Sequence, residues 1–145
     1  VEEETGSPDD RPRVAAVFWN RLRDPAFTPR LLQTDPTIVY GCRVAHPPSC
    51  PDTPRGGGHV AITRAMLDDP GNPYNTYRHV GLPPGPITNP GLAALEATLA
   101  PAAIRALYFV ATGSGHSAFA NTRAEHEANV QRYLRGRGGD AGISP

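Results

Sequence analysis

The sequence predicts an α+β domain, with helices packed on a small antiparallel sheet and a C-terminal hairpin followed by a helix. Three observations carry this expectation. Apolar residues recur at helical spacing in Val14, Val17, Phe18 and Leu22, and again in Leu92, Leu95 and Leu99. The run Ala106–Thr112, centred on Tyr108-Phe109-Val110, is rich in strand formers and is followed by Gly113-Ser114-Gly115, which turns the chain into His116–Ala120. The chain holds 15 Gly and 17 Pro among 145 residues, which favours short elements joined by loops over a helical bundle.

Each element has a local reason. Val1–Thr5 reads as the last turn of a helix that Gly6 stops. Ser7-Pro8-Asp9-Asp10 opens the next helix. Ser7 suits the cap, Pro8 the first turn, and the two acids complement the helix dipole. The pattern breaks near Asp24-Pro25. Thr37–Tyr40 is expected as one helical turn behind Asp35-Pro36. Residues 41–73 read mainly as an exposed loop, with a short helix over Val60–Leu67. Gly81-Leu82-Pro83-Pro84-Gly85-Pro86 is a stiff segment. Asn89-Pro90-Gly91 starts a helix with its three leucines on one face, and Pro101 ends it. Thr122-Arg123-Ala124-Glu125 is a capping box for a final helix to about Leu134. The domain is expected over residues 1–135, with 136–145 a Gly-rich disordered tail.

Composition narrows the function. A formal net charge of zero gives no electrostatic reason to expect nucleic acid or an anionic membrane surface as partner. No apolar run approaches the roughly 20 residues that span a bilayer. The chain begins inside what reads as a helix, so a fragment is expected, with any membrane anchor upstream. Cys42 and Cys50 lie in a Pro-rich stretch. They either close a short disulfide, as exported proteins do, or stand as two thiols in a variable insertion. With His46, His59, His116 and His126 they make a nominal ligand set. None of the spacings matches a zinc motif, so no metal and no cofactor is expected.

An ordered set of segments points further. It comprises Val1-Glu2-Glu3-Glu4-Thr5, Phe18-Trp19-Asn20-Arg21-Leu22, Leu32-Gln33-Thr34-Asp35-Pro36-Thr37, Tyr40-Gly41, Tyr74-Asn75-Thr76-Tyr77, Gly81–Ile87, Asn89-Pro90-Gly91, Leu107–Val110 and Glu125-His126. In this order they resemble the catalytic domain of the MltG/YceG-like endolytic murein transglycosylases of bacteria, over nearly the whole chain. The resemblance implies a parent protein anchored in the inner membrane, with this domain in the periplasm or outside the cell. It implies a lyase that acts on peptidoglycan glycan strands in cell-wall assembly and strand termination, near the peptidoglycan synthases. The bond cleaved would be the MurNAc–GlcNAc linkage, leaving 1,6-anhydro-MurNAc ends. The catalytic glutamate of the family directly precedes the motif threonine, which places it at Glu4. The helix that precedes this glutamate in the family is not part of the chain, Trp19 stands where a smaller residue is usual, and the Cys42–Cys50 stretch lies outside the shared pattern.

The chemistry suits one carboxyl group. Glycosidic cleavage needs a proton on the leaving oxygen, and ordinary glycosidases add a second carboxylate as nucleophile or base. When the sugar's own C6 hydroxyl attacks, one glutamate serves twice, first as acid and then as base. From spacing alone, Glu2-Glu3-Glu4 reads as a solvated acidic cluster, and the resemblance singles out Glu4. The expected substrate-binding residues are Glu2, Asn20, Gln33, Asn75, Tyr74 and Tyr77. The amides would bond sugar hydroxyl and acetamido groups, and the tyrosines would stack on sugar faces. Each has a plainer reading in caps, loops or core. Arg21 and Asp35 read as a structural ion pair. A non-catalytic peptidoglycan-binding module is the alternative function. A zinc-dependent amidase is disfavoured for want of a ligand set.

Overall fold

Arg11–Arg23 forms helix α1, whose residues Val14, Ala15, Ala16 and Val17 are buried. The computed structural model describes residues 1–51 and 60–134, so the expected tail at 136–145 and His59 lie outside the described residues. Six further elements follow: α2 (Asp35–Ala45), α3 (Arg64–Asp68), α4 (Leu92–Leu99), β1 (Tyr108–Ala111), β2 (Ser117–Ala120) and α5 (Arg123–Tyr133). The α+β class is as expected: the described residues form five helices and one two-stranded antiparallel sheet. The described residues group into two compact units, one made of 1–25 and 88–134, the other of 26–51 and 60–87. No helix among the described residues is long and apolar enough to cross a membrane.

In the first unit, β1 and β2 pair with Tyr108 opposite Ala120 and Phe109 opposite Phe119. Side chains alternate between the two faces of the hairpin. Phe109 meets Phe18 of α1 edge-on at 6.2 Å, and Tyr108 stacks on His126 of α5 at 5.2 Å. Thr122 and Glu125 form the expected capping box at the start of α5. One reading of this unit is corrected. α1 does not begin at Ser7: residues 7–10 make a turn feeding it, with Arg11 N–H donating to the Ser7 carbonyl at 3.2 Å, and the helix starts at Arg11. The leucine face of α4 is exposed, with Leu92 71%, Leu95 47% and Leu99 86% accessible. Ala94 and Ala97 face inward, because α4 packs on α1 and small side chains permit close approach.

The second unit has its core in Ile38, Cys42, Met66, Leu67 and Tyr77, with Cys50, Val60 and Ile62 packed against it. Cys42 and Cys50 form a disulfide with Cα atoms 5.5 Å apart. The single turn expected at Thr37–Tyr40 is the middle of an eleven-residue helix that continues through Gly41. Tertiary packing overrides the low helical propensity of glycine here. The short helix expected from Val60 begins only at Arg64, where the Thr63 hydroxyl accepts the Met66 N–H at 3.3 Å.

Candidate active site

The acidic segment folds as one turn, closed by the Glu4 N–H donating to the Val1 carbonyl at 3.1 Å. Its three acids are not equivalent. Glu3 is exposed, whereas Glu2 and Glu4 are half-buried. Glu2 Oε2 accepts the backbone N–H of Gly91, the N-cap residue of α4, at 3.1 Å. That places a carboxylate at the positive end of the helix dipole.

The chain beyond Glu4 is fastened to the hairpin. Thr5 Oγ1 accepts the Ser7 N–H at 3.1 Å, and the buried Ser7 hydroxyl lies 3.3 Å from His116 Nδ1. Asp10, 2% exposed, accepts the Ser117 N–H at 2.7 Å. It also stands 3.8 Å from His116 Nδ1. This explains why Asp10 makes no side-chain cap bond to α1: its carboxylate is held by the hairpin. Sequence reading missed these contacts. Ser7 and Asp10 look like ordinary helix-start residues, and nothing local marks partners 107 or more residues away.

Asn20 lies in the same unit as Glu4. Its amide donates to the carbonyls of Ile104 and Ala106, at 2.9 Å each, and so ties α1 to the chain entering the hairpin. Arg21 Nε donates to the Leu107 carbonyl at 2.7 Å, and its guanidinium lies over the Tyr108 ring. His126 is buried between these groups and its own helix. Burial holds its pKa below the ordinary value, and the positive charge of Arg21 adds to the effect.

Gln33, Tyr74, Asn75 and Tyr77 come together in the second unit. The Gln33 N–H donates to the Thr76 carbonyl at 3.1 Å, and Gln33 itself is left-handed at φ 53°. Such backbone is costly for a non-glycine residue and often marks a functional segment. Tyr74 is half-buried, with its ring edge-on to Tyr40 at 4.8 Å. Two expected sugar contacts are committed to the fold. Asn75 is 0% exposed. Its amide donates to the carbonyls of Met66, Leu67 and Asp69, and its oxygen accepts the Tyr77 N–H. Tyr77 is 8% exposed and donates its hydroxyl to Asp35 Oδ1 at 2.7 Å. Direct reach to a ligand is closed to Asn75 by burial, and the Tyr77 ring belongs to the core. Residue type alone could not separate these roles, because a buried amide that braces loop carbonyls looks the same in sequence as one that faces a sugar.

Residues 1–132 match the YceG-like family. The chain is 36% identical over 137 residues to an endolytic murein transglycosylase of Bacillus subtilis (strain 168), covering 92% of this chain and 32% of that protein. It is 31% identical over 141 residues to one from Streptococcus pneumoniae serotype 2, covering 94% of this chain and 23% of that protein. The fold matches a crystal structure of a yceG-like protein from Listeria monocytogenes with a TM-score of 0.67 and 36% identity, over 88% of this chain and 35% of that one. The chain thus spans about a third or less of the length of the curated relatives it matches. With a family match over nearly its whole length, this chain belongs to the YceG-like family.

Proposed function

We propose that this chain carries the catalytic centre of a peptidoglycan lytic transglycosylase, with Glu4 as the acid/base. The observation that carries this reading is the family match through Glu4, joined to relatives that are named endolytic murein transglycosylases. The half-buried position of Glu4, in a turn fastened on both sides, supports it. A catalytic carboxyl must be held in place more firmly than an ordinary surface acid.

The step balances without water. The Glu4 carboxyl gives its proton to the oxygen linking MurNAc C1 to GlcNAc. The C1–O bond breaks, and the GlcNAc hydroxyl leaves. The MurNAc C6 oxygen then bonds to C1, and its proton passes to the Glu4 carboxylate. The glycan gains a 1,6-anhydro end, and Glu4 regains its starting state. Proximity favours this attack, because nucleophile and electrophile belong to one sugar. Gln33 and Tyr74, neither of them fully buried, are proposed as substrate contacts in the second unit. The cut would serve strand termination in the cell envelope, in a parent protein anchored in the membrane by an upstream segment and working beside peptidoglycan synthases.

Mass spectrometry of peptide-stripped glycan strands treated with the chain tests this reading. Anhydro ends are expected. Reducing ends would mean hydrolysis, and binding without any product would favour a non-catalytic peptidoglycan-binding module.

A further inference from the structure

We propose, on the reading of Glu4 as acid/base, that Glu2 is a positioning residue whose bond to Gly91 holds the catalytic turn in register. The contact joins residues 89 apart in sequence. Gly91 begins α4, and α4 is itself fixed to α1. Trp19 Nε1 donates to the Thr98 carbonyl at 2.9 Å, and the Ala102 N–H donates to the Pro12 carbonyl at 2.9 Å. Glu2 therefore ties the turn to a braced pair of helices. Glu4 stands two residues further on, and its own N–H closes that turn. On the other side, Ser7 and Asp10 fasten the chain to the hairpin. Without the Glu2 contact the tie from this turn to α4 is lost, and the backbone that carries Glu4 gains freedom on that side.

The contact can be cut from either end. Glu2→Ala removes the acceptor. Glu2→Gln keeps an oxygen that can accept but cannot relay a proton at neutral pH. Gly91 has φ −71°, which proline adopts, so Gly91→Pro removes the donor while fitting the backbone. A Cβ at Gly91 would stand 3.6 Å from Glu2 Oε2, an ordinary contact, so Gly91→Ala serves as the control that keeps the N–H.

The experiment measures kcat and KM for anhydro-end formation on purified glycan strands, with amide exchange of Glu4 followed by NMR in the same proteins. Glu2→Ala and Gly91→Pro are expected to lower kcat by about tenfold to a hundredfold, the scale of a misplaced catalytic group, with KM little changed. The double variant should lose no more than either single one. Glu2→Gln and Gly91→Ala should stay near wild type, and the Glu4 amide should exchange faster only in Glu2→Ala and Gly91→Pro. Wild-type kcat and Glu4 exchange in Glu2→Ala would overturn the proposal. So would a Glu2→Gln variant as inactive as Glu4→Gln, which would make Glu2 a proton carrier. Full activity in Glu4→Gln would instead sink the acid/base reading, and the exchange rates would still decide whether Glu2 holds the turn.

Discussion

Asn72 occupies the space that a side chain on Gly41 would need. A Cβ added at Gly41 would run into the Asn72 carboxamide. That carboxamide is itself committed, donating to the Ile38 carbonyl at 3.1 Å and accepting the Tyr74 N–H at 3.0 Å. Gly41→Ala would ordinarily stabilise a helix by up to about 1 kcal/mol. Here displacing Asn72 disrupts two hydrogen bonds and overpacks the site, a cost of about 2–4 kcal/mol. The clash wins, and denaturant titration should show net destabilisation by about 1–3 kcal/mol. A more stable Gly41→Ala protein would contradict this packing.

Asn75 is predicted to act through stability rather than affinity. Asn75→Ala leaves the carbonyls of Met66, Leu67 and Asp69 without that donor in the interior. A loss of about 3 kcal/mol or more is expected in chemical unfolding. A raised KM with unchanged stability would instead restore the sugar-binding role.

The Cys42–Cys50 disulfide links positions eight apart, so chain entropy limits its effect to about 2–2.5 kcal/mol. It fastens residue 50 to α2, and Cys42 lies in the core of the second unit. Thermal unfolding with and without reductant should show a lower Tm on reduction. A Cys42→Ala, Cys50→Ala protein should resemble the reduced one. No change in Tm would mean that the bond constrains little in the unfolded chain.

His126 makes the fold acid-sensitive in a defined direction. Its folded pKa is lowered, by burial first and by Arg21 second, so the unfolded chain binds the proton more readily. Stability from the neutral ring is complete above the unfolded value of about 6.5 and is lost as pH falls below it. Among the described residues, Nδ1 is buried without a hydrogen-bond partner, so a proton there would gain no acceptor. His126→Phe keeps a ring against Tyr108 and should flatten the fall in stability below about pH 6.5. A wild-type protein more stable at pH 5 than at pH 7 would contradict this.

What was legible in the sequence had local causes. The capping box at Thr122 and Glu125 and the Tyr108–Ala120 hairpin depend on residues a few positions apart, and both formed where expected. The spacing of the α4 leucines identified a shared face without saying which way it turns, and α1 receives the alanine side. α2 continues through Gly41, whose bare Cα is matched by Asn72, a partner 31 positions away that no local rule reveals. For the candidate site, Glu4 was legible only through family resemblance, because three adjacent glutamates look alike to any local rule. The Gly91, His116 and Ser117 contacts that hold its segment arise from folding at long range.

The most direct test of the central claim compares this chain with Glu4→Gln on peptide-stripped glycan strands, with product ends identified by mass. The account predicts anhydro ends, each lighter by one water than a reducing end, and their loss by at least about a thousandfold in the variant, which can neither give nor take the proton. Anhydro products from Glu4→Gln at the wild-type rate would contradict it.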